Sequence, residues 1–139
     1  MKCGEGIYTF SDGTIYKGNF NNNVFDGYGE IDYINGDKYK GHFANGLRHG
    51  QGSYFYANGD TYNGLWDKGS KSGQGTYNYM NSNSSYVGLW NKNQRHGKGK
   101  YQYGNGDLFE GDFTDGNRHG EGIYLRSDNK VTSGNWKDN

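Results

Sequence analysis

A chain of 139 residues with 15 basic and 15 acidic side chains, 26 glycines and no proline has room for one compact domain or one short repeat array. Its hydrophobic fraction is only 30%, but it holds 24 aromatic residues (14 Tyr, 7 Phe, 3 Trp), and each ring can bury about 150–250 Å². Zero net charge is unlike a disordered chain, so a folded protein without a conventional aliphatic core is expected. The lack of a Gly-X-Y period excludes a collagen-like chain, and the density of rings excludes a flexible Gly/Ser linker. The glycines disfavour long helices, at about 1 kcal/mol each against alanine. No apolar run approaches the ~18 residues of a membrane-spanning helix.

The opening Met1-Lys2-Cys3-Gly4-Glu5-Gly6 carries no apolar signal region. The single Cys3 leaves no intrachain disulfide and fits a reducing compartment, so a cytoplasmic location is expected. Gly-X-Gly then recurs at Gly4/Gly6, Gly27/Gly29, Gly50/Gly52, Gly73/Gly75, Gly97/Gly99 and Gly120/Gly122, with steps of 23, 23, 23, 24 and 23 residues. A second series keeps phase with it: Tyr16-Lys17-Gly18-Asn19-Phe20, Tyr39-Lys40-Gly41-His42-Phe43, Tyr62-Asn63-Gly64-Leu65-Trp66, Tyr86-Val87-Gly88-Leu89-Trp90, Phe109-Glu110-Gly111-Asp112-Phe113 and Thr132-Ser133-Gly134-Asn135-Trp136. The chain reads as one array of six repeats, 4–26, 27–49, 50–72, 73–96, 97–119 and 120–139.

Between the two series lies a turn signal: Asp12-Gly13, Asn35-Gly36-Asp37, Asn58-Gly59-Asp60 and Asn105-Gly106-Asp107. Asn-Gly between alternating aromatics marks a hairpin. In the third repeat a three-residue loop, Ala57-Asn58-Gly59, pairs Tyr54 with Tyr62, Gly52 with Gly64 and Gly50 with Trp66, and puts the aromatics on one face. Such loops want a left-handed last residue, supplied by Gly13, Gly36, Gly59 and Gly106, and by Asn129 in the sixth repeat. The fourth repeat has one extra turn residue, Met80-Asn81-Ser82-Asn83. Glycine opposite glycine leaves no side chain where rings of neighbouring hairpins must lie flat. That role falls to Gly29, Gly41, Gly52, Gly64, Gly75, Gly88, Gly99 and Gly111.

Tyr-X-Gly-X-Trp/Phe, a short loop, then His-Gly-X-Gly, kept in phase over the whole chain, resembles the MORN (membrane occupation and recognition nexus) repeat family. Within that family it looks like the small all-MORN proteins of the retinophilin and radial-spoke types. The resemblance implies an all-β fold, six consecutive antiparallel β-hairpins stacked into one elongated, twisted, single-layer sheet. It implies a scaffolding or recognition role without catalysis, with cytoskeletal or ciliary association. The sixth repeat departs at Thr132 and Arg126, as suits a terminal cap.

Other chemistry finds little footing. His49, His96 and His119 each follow an arginine (Arg48, Arg95, Arg118), but equivalent residues of successive repeats lie two strands, or about 9.5 Å, apart. A metal needs each imidazole nitrogen at about 2.0–2.1 Å, and His42 faces the other way in its strand. Cys3 has no histidine near it. Asp12, Asp37, Asp60, Asp107 and Asp128 read as turn residues. Gly-X-Gly precedes no helix, so it is no phosphate loop. No catalytic site, metal or cofactor is expected. Balanced charge with no basic run beyond two residues argues against nucleic acid. Lys38, Lys40 and His42, with Lys98 and Lys100, make only weak basic patches for a membrane surface.

A single sheet has no second layer to cover its aromatics, so the ring edges are expected to be exposed and to serve as both core and binding surface. The expected protein-binding strip centres on Tyr39, Phe43, Tyr62, Trp66, Tyr86, Trp90, Phe109 and Phe113. A helix or an extended peptide laid along this aromatic groove is the natural partner. Self-association through the terminal edge strands and direct lipid binding stay open. The alternative reading is a membrane-associated phospholipid-recognition module.

Overall fold

The computed structural model describes residues 2–137. Twelve strands follow one another: β1 (Gly4–Thr9), β2 (Ile15–Asn21), β3 (Val24–Asp32), β4 (Lys38–Ala44), β5 (Leu47–Phe55), β6 (Thr61–Asp67), β7 (Ser70–Tyr79), β8 (Ser84–Asn91), β9 (Gln94–Gln102), β10 (Leu108–Thr114), β11 (Asn117–Leu125) and β12 (Val131–Trp136). They form one antiparallel sheet in chain order, and no helix occurs among the described residues. The all-β, single-layer array of hairpins is therefore the fold of the chain.

Two classes of turn alternate. Inside every repeat but the fourth the loop has three residues. Gly59 closes one at φ +98°, and the Tyr56 N–H donates to the Asp60 carbonyl at 2.9 Å. Tyr54 then faces Tyr62, Gly52 faces Gly64 and Gly50 faces Trp66. The fourth repeat carries its extra residue between Tyr79 and Ser84, which pair directly. Successive repeats are joined by tighter, two-residue turns that the sequence reading did not resolve: Asn22-Asn23, Asn45-Gly46, Lys68-Gly69, Lys92-Asn93 and Asp115-Gly116. All ten residues have φ between +47° and +92°, as the twist-matched hairpin turn requires.

Beside each two-residue turn the register slips. Trp66 faces Lys71 while Gly64 faces Gly75, so one residue of β6 opposes three of β7, and Gly73 takes up the bulge at φ +93°. The first glycine of each Gly-X-Gly after β1 thus serves a bulge, which adds twist. The second glycine serves the rings. Turns of neighbouring repeats are stitched together by backbone bonds: the N–H of Gly69 donates to the Arg48 carbonyl at 2.8 Å, and that of Gly116 to the Arg95 carbonyl at 3.0 Å.

The core lies on one face of the sheet. Glycine faces glycine at Gly18–Gly29, Gly41–Gly52, Gly64–Gly75, Gly88–Gly99 and Gly111–Gly122, so the eight glycines named above all stand in such pairs. Over each pair lies a ring from the strand that carries the first glycine: Tyr16, Tyr39, Tyr62, Tyr86 or Phe109. A Cβ on Gly64 would abut the Gly75 Cα and come within 2.6 Å of the Gln74 carbonyl oxygen and 2.7 Å of the Tyr62 hydroxyl. At Gly59 a Cβ would meet only the flexible Met80 side chain, at 3.0 Å.

Gly64→Val is therefore expected to destabilise beyond the about 1–3 kcal/mol of ordinary overpacking. Gly59→Ala should cost roughly 1–2 kcal/mol for its left-handed backbone. Urea midpoints rank the two, and the reverse order would remove Gly64 from the ring floor.

Candidate functional site

The ring face is built in layers from the glycine floor. Tyr16, Tyr39, Tyr62, Tyr86 and Phe109 lie on it with no exposed surface. The four tyrosines each donate their hydroxyl to a carbonyl three residues on, as Tyr39 does to His42 at 2.8 Å and Tyr62 to Leu65 at 2.8 Å. Edge-on to them stand Phe20, Phe43, Trp66, Trp90 and Phe113. Trp66 lies 5.2 Å from Tyr62 of its own strand and 5.5 Å from Tyr39 of the repeat before, nearly perpendicular to both. Its indole Nε1 donates to the Gly52 carbonyl at 3.2 Å, as Trp90 does to Gly75.

These two layers contain the whole expected binding strip, and they correct that expectation. Tyr39, Phe43, Tyr62, Trp66, Tyr86, Trp90, Phe109 and Phe113 are each at most 5% exposed. The floor lets the first rings sink to the backbone, and further side chains close over the second. Those eight rings are core and present no edges to a partner.

The cover over repeats two to five is a row of cations, one to each. Arg48 lies 4.8 Å from the Trp66 ring centre and 5.2 Å from that of Tyr54. Lys71 sits 4.8 Å from Tyr77 and 5.1 Å from Trp90, and Arg95 sits 5.1 Å from Tyr101 and 5.5 Å from Phe113. Arg118 repeats the contact over Phe109 at 5.4 Å. Cation–π attraction favours this placement. Arg48 donates to the Gly69 carbonyl and the Tyr33 hydroxyl, both at 2.9 Å, and Lys71 donates to the Tyr56 hydroxyl at 2.9 Å. Burial, with Arg48 close by, lowers the Lys71 ammonium to about 8. From sequence the arginines read only as neighbours of histidines. A readable signal existed, because residues 48, 50, 52 and 54 share one face by period two.

The accessible part of the face is a ladder of tyrosines beside the cations. Tyr33, Tyr54, Tyr56, Tyr77, Tyr79, Tyr101, Tyr103 and Tyr124 touch in unbroken succession, with ring centres 4.3–5.8 Å apart and planes tilted by 30–50°. All but Tyr77 are half-buried. Turn aspartates fix every second rung from one repeat away. Asp60 accepts from the Tyr77 hydroxyl at 2.9 Å and the Met80 N–H at 2.7 Å. Asp37 does the same for Tyr54 and Ala57, and Asp107 for Tyr124 and Ser127. In the fourth repeat Ser84 takes the place of the aspartate, against Tyr101 at 3.0 Å. These carboxylates are turn residues, as read, and also staples between repeats.

The opposite face carries scattered apolar groups, among them Leu65, Val87, Leu89 and Ile123, and an open trough of about 900 Å³ between Val87, Lys98, Glu110 and Ile123. Its lysines face acids: Lys38–Asp32 at 3.5 Å, Lys40–Glu30 at 3.9 Å, Lys98–Asp112 at 2.9 Å and Lys100–Glu110 at 3.8 Å. His42 stands there beside Tyr28. His49 accepts from the Lys68 N–H at 3.3 Å, next to Asp67. Among the described residues no three His, Cys, Asp or Glu side chains gather where one metal ion could be held.

The family model of the MORN repeat matches residues 1–15, 16–38, 39–61, 62–84, 86–108 and 109–131. The chain belongs to the MORN repeat family. The MORN repeat is a non-enzymatic module of protein and membrane interactions. No curated protein matches the sequence. Among solved structures, the TCP domain of Drosophila melanogaster SAS-4, in complex with a proline-rich motif of Ana2, is similar at 13% identity and a TM-score of 0.34, over 96% of this chain and 90% of that one. Virginiamycin B lyase from Staphylococcus aureus follows at 7% identity and a TM-score of 0.24, over 96% of this chain and 70% of that one. Both scores are too low to carry a functional argument.

Asp60→Ala leaves the Tyr77 hydroxyl and the Met80 N–H without their acceptor, which is expected to cost about 1–3 kcal/mol. Asp128→Ala, at an exposed turn, should stay within about 0.5 kcal/mol. Denaturant midpoints compare them. A second expectation concerns alkaline pH. Burial pushes Tyr16 and Tyr56 from 10.0 up to about 12, and the other floor tyrosines also upward. Folded phenols hold protons that unfolded ones lose, so their contribution is intact below pH 10 and falls as pH rises towards and past 12. Lys71 acts oppositely, adding stability between about 8 and 10.5, but it is one group against many. Phenolate absorbance should therefore rise together with loss of β-structure well above pH 10. Titration of these phenols at pH 10 in the intact fold would contradict the burial.

Proposed function

We propose that this MORN chain is a non-catalytic scaffold or adaptor that binds a segment of another protein across its tyrosine ladder. Its setting is a cytoplasmic, cytoskeletal or ciliary assembly of the kind that includes retinophilin-type and radial-spoke MORN proteins. The observation that carries the reading is the ladder itself: eight tyrosines in continuous contact on a face with no second layer of structure over it. Tyrosine suits such a surface, because it offers large area with few rotatable bonds and a polar end. The phospholipid reading has less to stand on, since the reverse-face lysines lie against carboxylates, whereas anionic lipid attracts clusters of unpaired bases.

Capture of partners from native extract on immobilised wild type, Tyr79→Ala and Tyr103→Ala tests this. Each substitution is expected to lower retention about tenfold or more, in line with a hot-spot loss of ~2 kcal/mol, while the thermal midpoint moves little. Liposomes containing phosphatidylserine and a phosphoinositide should not sediment the protein at physiological salt. Unchanged capture by both folded variants, or sedimentation that added salt abolishes, would favour the membrane reading instead.

A further inference from the structure

Resting on that reading, we propose that the ladder takes a proline-rich segment in the left-handed polyproline II conformation, laid across the strands with one of its turns to each repeat. The spacing of the array supports this occupant. Tyr33, Tyr56, Tyr79 and Tyr103 hold one position in four successive repeats, two strands apart, which is about 9.4–9.8 Å. Polyproline II completes a three-residue turn in about 9.3 Å. The mismatch is roughly 0.1–0.5 Å per repeat, so four tyrosines can meet the same face of one ligand. An α-helix returns to one face after seven residues, about 10.5 Å, and drifts by ~1 Å per repeat. An extended strand repeats every ~6.7 Å and falls out of register at once.

Hydrogen-bonding capacity and charge point the same way. The Tyr33 hydroxyl accepts from Arg48 and keeps its own O–H to donate, while the Tyr56 hydroxyl accepts from Lys71 and lies against the Tyr77 hydroxyl. Arg48 Nε is buried without an acceptor. No carboxylate forms an ion pair with Arg48, Lys71 or Arg95 among the described residues. The acids at hand, Asp37, Asp60 and Asp107, already each hold a tyrosine hydroxyl and a backbone N–H. Arg48, Lys71 and Arg95 therefore have no ion-pair partner among the described residues to occupy them, and Arg48 keeps a buried N–H to offer to a carbonyl. Proline is the residue whose backbone accepts without donating, and polyproline II turns its unbonded carbonyls outward. An ordinary peptide would also bring an N–H at every residue, and the turn aspartates that could receive some of them are already engaged. The tilted rings supply the aromatic walls against which proline rings sit.

Fluorescein-labelled oligoprolines of 4, 7, 10 and 13 residues, titrated with the full chain by anisotropy, test the assignment. Affinity should rise severalfold with each three-residue step up to ten residues, which reach from Tyr33 to Tyr103, and then level off. A Gly/Ser decapeptide should not bind. Tyr33→Phe and Tyr56→Phe should each weaken decaproline about fivefold, and Tyr28→Phe on the reverse face should leave it unchanged, with thermal midpoints recorded for all three. Absent saturation, affinity indifferent to length, or full binding by both ladder variants overturns the proposal. If Tyr79→Ala and Tyr103→Ala still lose their captured partner while decaproline does not bind, the polyproline assignment fails and the ladder reading stands. If those variants keep the partner, the ladder reading fails with it.

Discussion

A tyrosine ring lying flat on two facing glycines recurs at four of five sites along the array, and phenylalanine takes its place at the fifth. The contact leaves no room for a Cβ at either glycine, and the hydroxyl closes on a carbonyl of its own strand. Each condition depends on register. A slip of one residue would send every ring to the opposite face, so the turns that set the pairing have fixed lengths. The three-residue loop, the two-residue turn and the bulge between them act together to bring Gly64 opposite both Gly52 and Gly75. Glycine abundance, which would weaken an ordinary sheet, is here the condition for burying rings at backbone depth.

A sheet without a partner layer must cover its apolar face with its own side chains. Here the edge-on rings, the cations, the tyrosine ladder and the aspartate staples supply that cover, and each links a repeat to its immediate neighbour. Trp66 touches Tyr39 of the repeat before, and Asp60 holds Tyr77 of the repeat after. Stability in such an array is close to a sum of nearest-neighbour contributions. Its ends differ accordingly. Thr132 offers no ring, and nothing lies within 4 Å of where a Gly134 Cβ would be. At the other end Lys2 spreads over Phe20 and the Gly6 position.

Period, turn chemistry and face were legible from residues alone, down to the Tyr54–Tyr62 and Gly52–Gly64 pairs. Depth was not. Alternation assigns Tyr62 and Tyr56 to the same face but cannot say that one sinks to the floor while the other leans out, since that depends on what lies under and over each ring. Tyr62 has glycines beneath it, whereas Tyr56 lies beside Tyr54 and Tyr77. The cation row was missed because Arg48 was read with His49, across the strand, rather than with Gly50 and Gly52, along one face. The staples were missed because Asp60 and Tyr77 lie 17 residues apart and meet only when repeats stack.

The repeats also show where the face is free to vary. Floor positions hold Tyr16, Tyr39, Tyr62, Tyr86 and Phe109, all flat six-membered rings lying on glycine pairs. The covering position is held by Phe25, Arg48, Lys71, Arg95 and Arg118. Phe25 fills it by stacking on Tyr16 at 3.7 Å with planes 7° apart, so an uncharged ring closes the layer as well as a guanidinium does. Covering the rings therefore does not by itself require charge at this position. Four repeats carry a cation there all the same, and in three of them it lies without a carboxylate partner. Burial alone leaves that choice unexplained. The ligand proposed above, laid across the face, accounts for it through the protons that an unpaired cation can donate.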